Sequence, residues 1–317
     1  MRDRPAPDVL AALLRHVRIS AVVFGRVELG APWAARLPAR DTVSLHHVLE
    51  GSLWLPEAGA QVQVGPGDLL MLPHGTPCTL RHAPGGAGDD RGLVVAPPAA
   101  QDTLSVFRRL GGDGPRTVVL CAELTVAGAA RDRLIRALPR VVHFPATGTP
   151  TTAGAAVPGL TALLDLLRDE LRQPGPGAAT IAARLAELLL LQAIRGAATR
   201  PAEPGSWRAA LADDRIARAL DAAYAEPHRP WTLHALARVA GMGRTAFTAR
   251  FRELVGESPF AHLTRWRMDL AATMLRDEPG RTLAEVAAAV GYSDEFAFGA
   301  AFRREVGTPP GTYRTPG

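Results

Sequence analysis

Thr232-Leu233-His234-Ala235-Leu236-Ala237-Arg238-Val239-Ala240-Gly241-Met242 decides the reading of the C-terminal segment, because it returns as Thr282-Leu283-Ala284-Glu285-Val286-Ala287-Ala288-Ala289-Val290-Gly291-Tyr292 at an offset of 50 residues. Beyond each glycine, Phe247-x-x-x-Phe251-Arg252-x-x-x-Gly256-x-x-Pro259 returns as Phe298-x-x-x-Phe302-Arg303-x-x-x-Gly307-x-x-Pro310, now at an offset of 51. Such a repeat marks one supersecondary unit used twice. Thr232 and Thr282 suit N-caps, whose hydroxyls accept from first-turn amides. Small Ala237 and Ala287 let a second helix cross closely, and Gly241 and Gly291 permit the sharp turn between the two helices. Phe247 with Phe251, and Phe298 with Phe302, stand four apart on one face and anchor each second helix. Each half therefore reads as a helix-turn-helix. The opposite face carries Arg244, Thr245 and Thr248 in the first unit and Ser293, Asp294, Glu295 and Gly299 in the second.

Between the units, Ser258-Pro259 is a cap followed by proline at the first helical position, opening a helix expected to run to about Arg276. At ~1.5 Å per residue, roughly 18 residues hold the units about 27 Å apart. A turn of B-DNA is ~34 Å, so two recognition helices at that scale can enter successive major-groove segments on one face of the duplex.

Residues 214–314 resemble the DNA-binding domain of the AraC/XylS family of bacterial transcription regulators. The match is carried by Gly241-Met242-Gly243-Arg244-Thr245-Ala246-Phe247, by Phe251-Arg252-Glu253-Leu254-Val255-Gly256-Glu257-Ser258-Pro259, by Arg265-Trp266-Arg267-Met268, and by Val286-Ala287-x-x-Val290-Gly291-Tyr292-Ser293-Asp294-Glu295. The resemblance implies promoter binding by two helix-turn-helix units, with transcription raised or lowered by what an N-terminal domain senses. One departure stands out: Ala249 and Ala300 occupy positions where the family often carries a DNA-contacting arginine. Fewer direct base contacts are therefore expected, with Arg244, Thr245 and Thr248 as readers in the first unit. Arg252, Arg303 and Arg304 are candidate phosphate contacts, which position without reading sequence. Ser293 and Glu295 belong to the second unit's candidate surface, although Asp294 and Glu295 also suit capping and the helix dipole.

Working outward toward the N-terminus, Thr199–Ser206, with Pro201, Pro204 and Gly205, reads as the core of a linker over 199–212. Before it, Leu160, Leu163, Leu164 and Leu167, then Ile181, Leu185, Leu188, Leu189 and Gln192, recur at helical spacing. They predict two helices over 157–198, an antiparallel pair or dimerisation arm, joined at Gln173-Pro174-Gly175-Pro176-Gly177. From Ser20 to Leu124 the chain is short apolar runs broken by Gly and Pro, the pattern of a sandwich or barrel. The fold expected is α+β: a cupin-like β-barrel over 8–150, a helical dimerisation pair, and an all-α double helix-turn-helix domain over 213–315.

Within the barrel, Gly67-Asp68-Leu69-Leu70-Met71-Leu72-Pro73-x-Gly75-x-x-Cys78 resembles the second cupin motif, with Cys78 standing where a metal-binding histidine is usual. His46-His47-x-x-Glu50-Gly51 resembles a degraded first motif, with Val48 in place of a second inward histidine. In a strand His46 and Val48 share a face and His47 points away. Thiolate and imidazole together suit zinc, so His46, Cys78 and Cys121 with His74 or His82 form one conceivable ligand or metal site. Two buried thiols beside a vestigial pocket, or a redox pair of the cysteines, are the other readings. His143, His228, His234 and His262 have no motif partner and read as surface or core residues, and Gly85-Gly86-x-Gly88 as a loop.

Composition bounds these readings. The 317 residues are 47% hydrophobic and 21% charged, enough for two domains. The most apolar stretch, Leu185–Ile194, is interrupted by Glu187 and Gln192, so no membrane span is expected. Met1-Arg2-Asp3-Arg4-Pro5 lacks a signal peptide's pattern, and two cysteines suit a reducing compartment, which together predict the cytoplasm. Net charge is +5, yet residues 213–317 hold 14 Arg against 13 Asp plus Glu, so the DNA argument rests on motif and not on a basic excess. The expected partners are promoter DNA, a small-molecule effector, RNA polymerase if the protein activates, and a second copy of the chain. The alternative is a metal-dependent cupin enzyme with a helical appendage. Against it stands the loss of the usual histidines, since such sites need three or four protein ligands.

Overall fold

A computed structural model describes residues 8–57, 60–84, 93–94, 106–136, 138–146, 159–172, 175–198 and 207–314. Among them the elements run α1 (Val9–Leu14), β1 (Arg18–Gly30), β2 (Ala34–Leu37), β3 (Val43–Glu50), β4 (Leu53–Glu57), β5 (Ala60–Val64), β6 (Leu69–Leu72), β7 (Cys78–Arg81), β8 (Leu93–Val94), β9 (Val106–Gly111) and β10 (Arg116–Ala127). They continue α2 (Arg131–Arg136), β11 (Val142–Phe144), α3 (Leu160–Arg172), α4 (Ala178–Ala198), α5 (Trp207–Leu211), α6 (Asp214–Ala225), α7 (Leu233–Val239), α8 (Arg244–Val255), α9 (Pro259–Asp277), α10 (Leu283–Ala289), α11 (Glu295–Val306) and α12 (Pro310–Arg314). Most of the expected linker, 199–206, and the Gly85–Gly88 loop lie outside the described residues.

The chain divides into two compact units. The first contains the strands and the α3–α4 pair. One sheet has the order β11-β6-β3-β10-β1-β9 and the other β5-β4-β7-β2-β8. Side chains from both sheets share one core, including Val27 and Leu29 of β1, Val48 of β3, Leu53 and Leu55 of β4, Leu70 of β6, Leu80 of β7 and Val119 of β10. The expected run Ser44–Leu55 breaks into β3 and β4 at Gly51, whose φ of 70° lies in the left-handed region and which a Cβ would drive to 2.5 Å from the Arg116 carbonyl oxygen. Strands β2, β9 and β11 carry no clear alternation: β2 is Ala-Ala-Arg-Leu and β9 holds Arg108-Arg109. They form because a neighbour offers a ladder, β2 between β7 and β8 and β9 parallel to β1.

On α3 the expected Leu160, Leu164 and Leu167 are buried, whereas α4 departs in part from its expected stripe. On α4 the buried hydrophobic residues are Ala178, Ala182, Ala186, Leu189, Leu190, Ala193 and Ile194, while Ile181 and Leu188 are 45% and 46% exposed. Ile181 and Leu188 therefore lie on the outward side of α4 and the alanines Ala182, Ala186 and Ala193 on its buried side. Leu164, Leu167 and Leu189 pack toward Leu45, Leu69 and Leu120. These three alternate in sequence with the core-facing Val48, Leu70 and Val119, which explains why β3 is buried on both faces.

The second unit gathers residues 207–314 with residues 8–18 and 127–136. Asp8 caps α1 by accepting from Ala11 N at 2.8 Å. His16, just beyond α1, meets the Trp266 ring edge-on with centroids 5.1 Å apart, and the Arg133 guanidinium of α2 lies 5.1 Å from the same ring. Arg133 also pairs with Asp269 at 3.0 Å and Arg18 with Asp277 at 2.5 Å. Burial pushes the Asp269 carboxyl up to about 6.

Candidate nucleic-acid interface and barrel interior

The two helix-turn-helix units are built by the same local devices. Ala235 N donates to Thr232 Oγ1 at 3.1 Å, and Glu285 N to Thr282 Oγ1 at 3.2 Å. Glu285 returns the bond by accepting from Thr282 N at 2.8 Å, completing a capping box that holds its carboxyl below the usual range. Gly241 and Gly291 make the turns at φ 65° and 83°, and Gly256 and Gly307 end the second helices at φ 83° and 91°. The Phe247–Phe251 and Phe298–Phe302 rings each stand 5.7 Å apart, and all four are buried.

Helix α9, 19 residues long, joins the units and spans about 28 Å at ~1.5 Å per residue. Ser258 caps it, accepting from Ala261 N at 3.3 Å, with Pro259 in its first turn. Arg267 on α9 donates from Nε to Pro227 O at 2.9 Å and from Nη2 to Arg229 O at 2.8 Å, clamping the segment that leads into α7. His262, also on α9, meets Tyr224 Oη through Nε2 at 2.6 Å and Glu257 Oε1 through Nδ1 at 2.8 Å. Glu257 pairs in turn with Arg265 at 2.9 Å. His143 of β11 donates from Nε2 to Asp68 Oδ2 at 2.9 Å. Both histidines therefore have long-range partners that no motif announced.

The predicted surface residues lie on α8 and α11, apart from Ser293, which precedes the Asp294 cap of α11. Arg244, Thr245 and Arg252 are exposed, as are Ser293, Glu295, Arg303 and Arg304. Thr248 is half-buried and its hydroxyl donates to Arg244 O at 2.9 Å, leaving its oxygen to accept. Arg304 pairs with its neighbour Glu305 at 3.1 Å, whereas Arg244, Arg252 and Arg303 have no side-chain partner among the described residues. The helix starts differ. Gly243 gives α8 no side-chain cap, so its first-turn amides stay available beside Arg244. Asp294 caps α11, accepting from Phe296 N at 3.2 Å and Ala297 N at 2.9 Å. One residue escaped the sequence reading: Phe296, 88% exposed, on the open face of α11. Its spacing held the signal, since it stands two residues from Phe298 and so off the core-facing Phe298–Phe302 line.

The barrel interior does not bring together the residues of the conceivable metal site among the described residues. His46 and Cys121 are opposite each other on β3 and β10, with Nδ1 and Sγ 3.4 Å apart. Burial, with Arg40 adding to it, pushes His46 down to about 4, and burial pushes the Cys121 thiol up to about 12. Both are neutral near pH 7, the opposite of a ligating or reactive thiolate pair. His74 instead donates from Nε2 to Leu138 O at 2.9 Å, and His82 is bonded to the Trp33 backbone. Among the described residues no three His, Cys, Asp or Glu side chains converge as a metal would need, and Cys78 and Cys121 are not joined by a disulfide. Arg40 pairs with Glu123, which also accepts from Thr42 Oγ1 at 3.4 Å. A cleft of about 280 Å³ opens beside Cys78, lined by Leu55, Leu72, Thr76, Thr79, Arg81, Arg140 and Val141 among others.

A β-sheet N-terminal region followed by two helix-turn-helix units on a shared helix defines a DNA-binding regulator as the class. Residues 8–199 match a cupin family model and residues 236–316 a helix-turn-helix domain model. A Streptomyces lividans protein described as an AraC-like transcription regulator is 34% identical over 313 residues, 98% of this chain and 97% of its own length. The RCS-specific HTH-type transcriptional activator RclR of Escherichia coli K12 is 27% identical over 97% of both chains. Among solved structures, the DNA-binding domain of AdpA, a global transcriptional factor in complex with a target DNA, is 32% identical over 31% of this chain and 87% of that one, at a TM-score of 0.30. The chain belongs to the AraC-like family of transcription regulators, with a cupin N-terminal domain and a helix-turn-helix DNA-binding domain. Its relatives are regulators and not enzymes, so the metal-dependent cupin enzyme is set aside. Among the described residues no helix is long and apolar enough to cross a membrane.

Proposed function

We propose that this regulator seats α8 and α11 in successive major-groove segments of a promoter, and that a small molecule held by the barrel unit changes that binding. The observation carrying the first part is that the Phe pairs anchor each second helix in the core while Arg244, Thr245 and Arg303 stand exposed. In this reading Arg244, Thr245 and Thr248 read bases, with Ser293 and Glu295 at the start of the second reading helix. Arg252, Arg303 and Arg304 bind phosphates. The cleft beside Cys78 supports the second part, since about 300 Å³ is the lower end for small-ligand pockets. The outward stripe of Leu166, Ile181 and Leu188 supports a homodimer through the helical pair. RNA polymerase is the further partner if the outcome is activation, and the cytoplasm is the compartment where this chemistry runs.

The deciding experiment titrates the full chain against the DNA upstream of its own gene and against a shuffled fragment of equal length, across a salt series. Specific regulators prefer their site by about 4 kcal/mol or more. Equal affinity at every salt concentration would reject sequence-specific regulation. Small molecules that raise the melting temperature of the barrel unit should alter DNA affinity; binding without that effect would remove the coupling.

A further inference from the structure

We infer that Phe296 is a residue through which the second helix-turn-helix unit reads sequence, by laying its ring against the 5-methyl group of a thymine in the major groove. This rests on the DNA-binding reading above and names the base chemistry of one half-site. Phe296 is the second residue of α11 and is 88% exposed, whereas Phe298 two positions on is 0% exposed. Folding therefore leaves one whole ring unused. It stands in the first turn of the helix, the part of a recognition helix that reaches base edges.

The surroundings specify what that ring meets. Near it, the exposed positions of α11 offer Glu295, Ala297 and Ala300, and none of these can make the bidentate bonds that select guanine or adenine. The nearest cation on the helix is Arg303, seven residues or about 10 Å further along. Gly299 lies one turn above Phe296, and a Cβ there would meet nothing within 4 Å, so internal packing does not require the glycine. Its lack of a side chain clears the surface beside the ring for a close approach. At the repeat offset of 51, Phe296 corresponds to Thr245, the second residue of α8. A threonine methyl and a phenyl ring are both groups that contact the thymine methyl. The two units thus present the same kind of apolar contact at the same helical position, the first adding Arg244 beside it.

The test uses the full chain and the fragment it prefers over shuffled DNA. Each thymine is replaced singly by deoxyuridine, which removes only the methyl. Wild type should lose about fourfold in affinity at one or two thymines of one half-site, the worth of one buried methyl. Phe296→Ala should bind the all-thymine fragment about tenfold or more weakly and be indifferent to deoxyuridine at those same positions, with Phe296→Leu between. Melting temperatures equal to wild type confirm that the variants are folded. Phe296→Ala binding within twofold of wild type would overturn the inference, as would a weakened variant that keeps the full deoxyuridine pattern. Normal DNA binding with lost activation would overturn it in favour of a protein partner such as polymerase. If wild type does not prefer its fragment, the DNA-binding reading itself has failed.

Discussion

Alanine in place of Gly291 should damage the C-terminal unit far more than alanine in place of Gly307, although both glycines are left-handed, at φ 83° and 91°. The left-handed conformation costs a non-glycine residue about 1–2 kcal/mol at either site. At Gly307 the cost ends there, because a Cβ would meet nothing within 4 Å and the residue's amide bond to Arg303 O, which closes α11, survives the substitution. At Gly291 a Cβ would lie 2.7 Å from Arg267 Nη2 and 2.9 Å from both His228 O and Pro227 O. Two of these neighbours are backbone atoms, and the guanidinium is not a loose end, since it is bonded to Pro227 O and Arg229 O. Relieving the clash adds overpacking of about 1–3 kcal/mol and threatens a charged hydrogen bond worth a similar amount. The difference between the variants should therefore exceed about 2 kcal/mol. For a unit of about 130 residues that is roughly 7 °C or more in melting temperature. Scanning calorimetry of the full-length variants reads it, and hydrogen exchange of the α7 and α10 amides localises it. Because Arg267 ties the lead-in to α7 to the turn after α10, Gly291→Ala should also weaken DNA binding below its melting temperature. Melting of the two variants within 2 °C of each other would refute the reasoning.

The other expectations concern charge and surface. His46 is held at about 4 against an ordinary 6.5, so between these values the unfolded chain binds a proton that the folded one does not. Its contribution, about 3 kcal/mol, is complete above pH 6.5 and is lost as pH falls toward 4; urea unfolding of His46→Leu should show a correspondingly flatter acid dependence, and an unchanged slope would remove the assignment. Replacing Arg303 or Arg304 by alanine should lower the slope of log affinity against log salt by about 0.9 for each phosphate no longer neutralised, whereas Arg244→Ala should chiefly erode preference over shuffled DNA. The pair Ile181→Asp with Leu188→Asp should give a monomer by sedimentation with barrel stability unchanged, and a persisting dimer would place the interface elsewhere.

The legible parts of this chain are those whose causes lie within a few residues. A Thr232 hydroxyl reaches an amide three positions on, Pro259 presets its own backbone, and Gly256 closes the helix it ends; the repeat and its helices are therefore written locally. The two sets of spaced phenylalanines also declare their faces, because four residues of α-helix return to the same side. Phe296 lay in plain view as the one aromatic off that line, but only its exposure distinguishes an unused ring from one covered by another element.

The order of residues alone thus suffices for the double helix-turn-helix, the strand-rich character of the N-terminal region, and the existence of an amphipathic pair over 157–198. Packing in three dimensions settled which partner each surface met. The apolar stripe of α4 announced amphipathicity, yet packing buried only part of it, covering Leu189 together with Ala182, Ala186 and Ala193 and leaving Ile181 and Leu188 exposed. His46, Cys78, Cys121 and His74 formed one conceivable site by residue type, but β3 and β10 bring only His46 and Cys121 together while His74 turns to Leu138 O. Strand β9 exists through its parallel neighbour β1, and α1 and α2 join the helical unit through His16, Arg133 and Trp266. In each case the deciding neighbour is tens to hundreds of residues away, and residue periodicity reports which face is apolar without saying what will cover it.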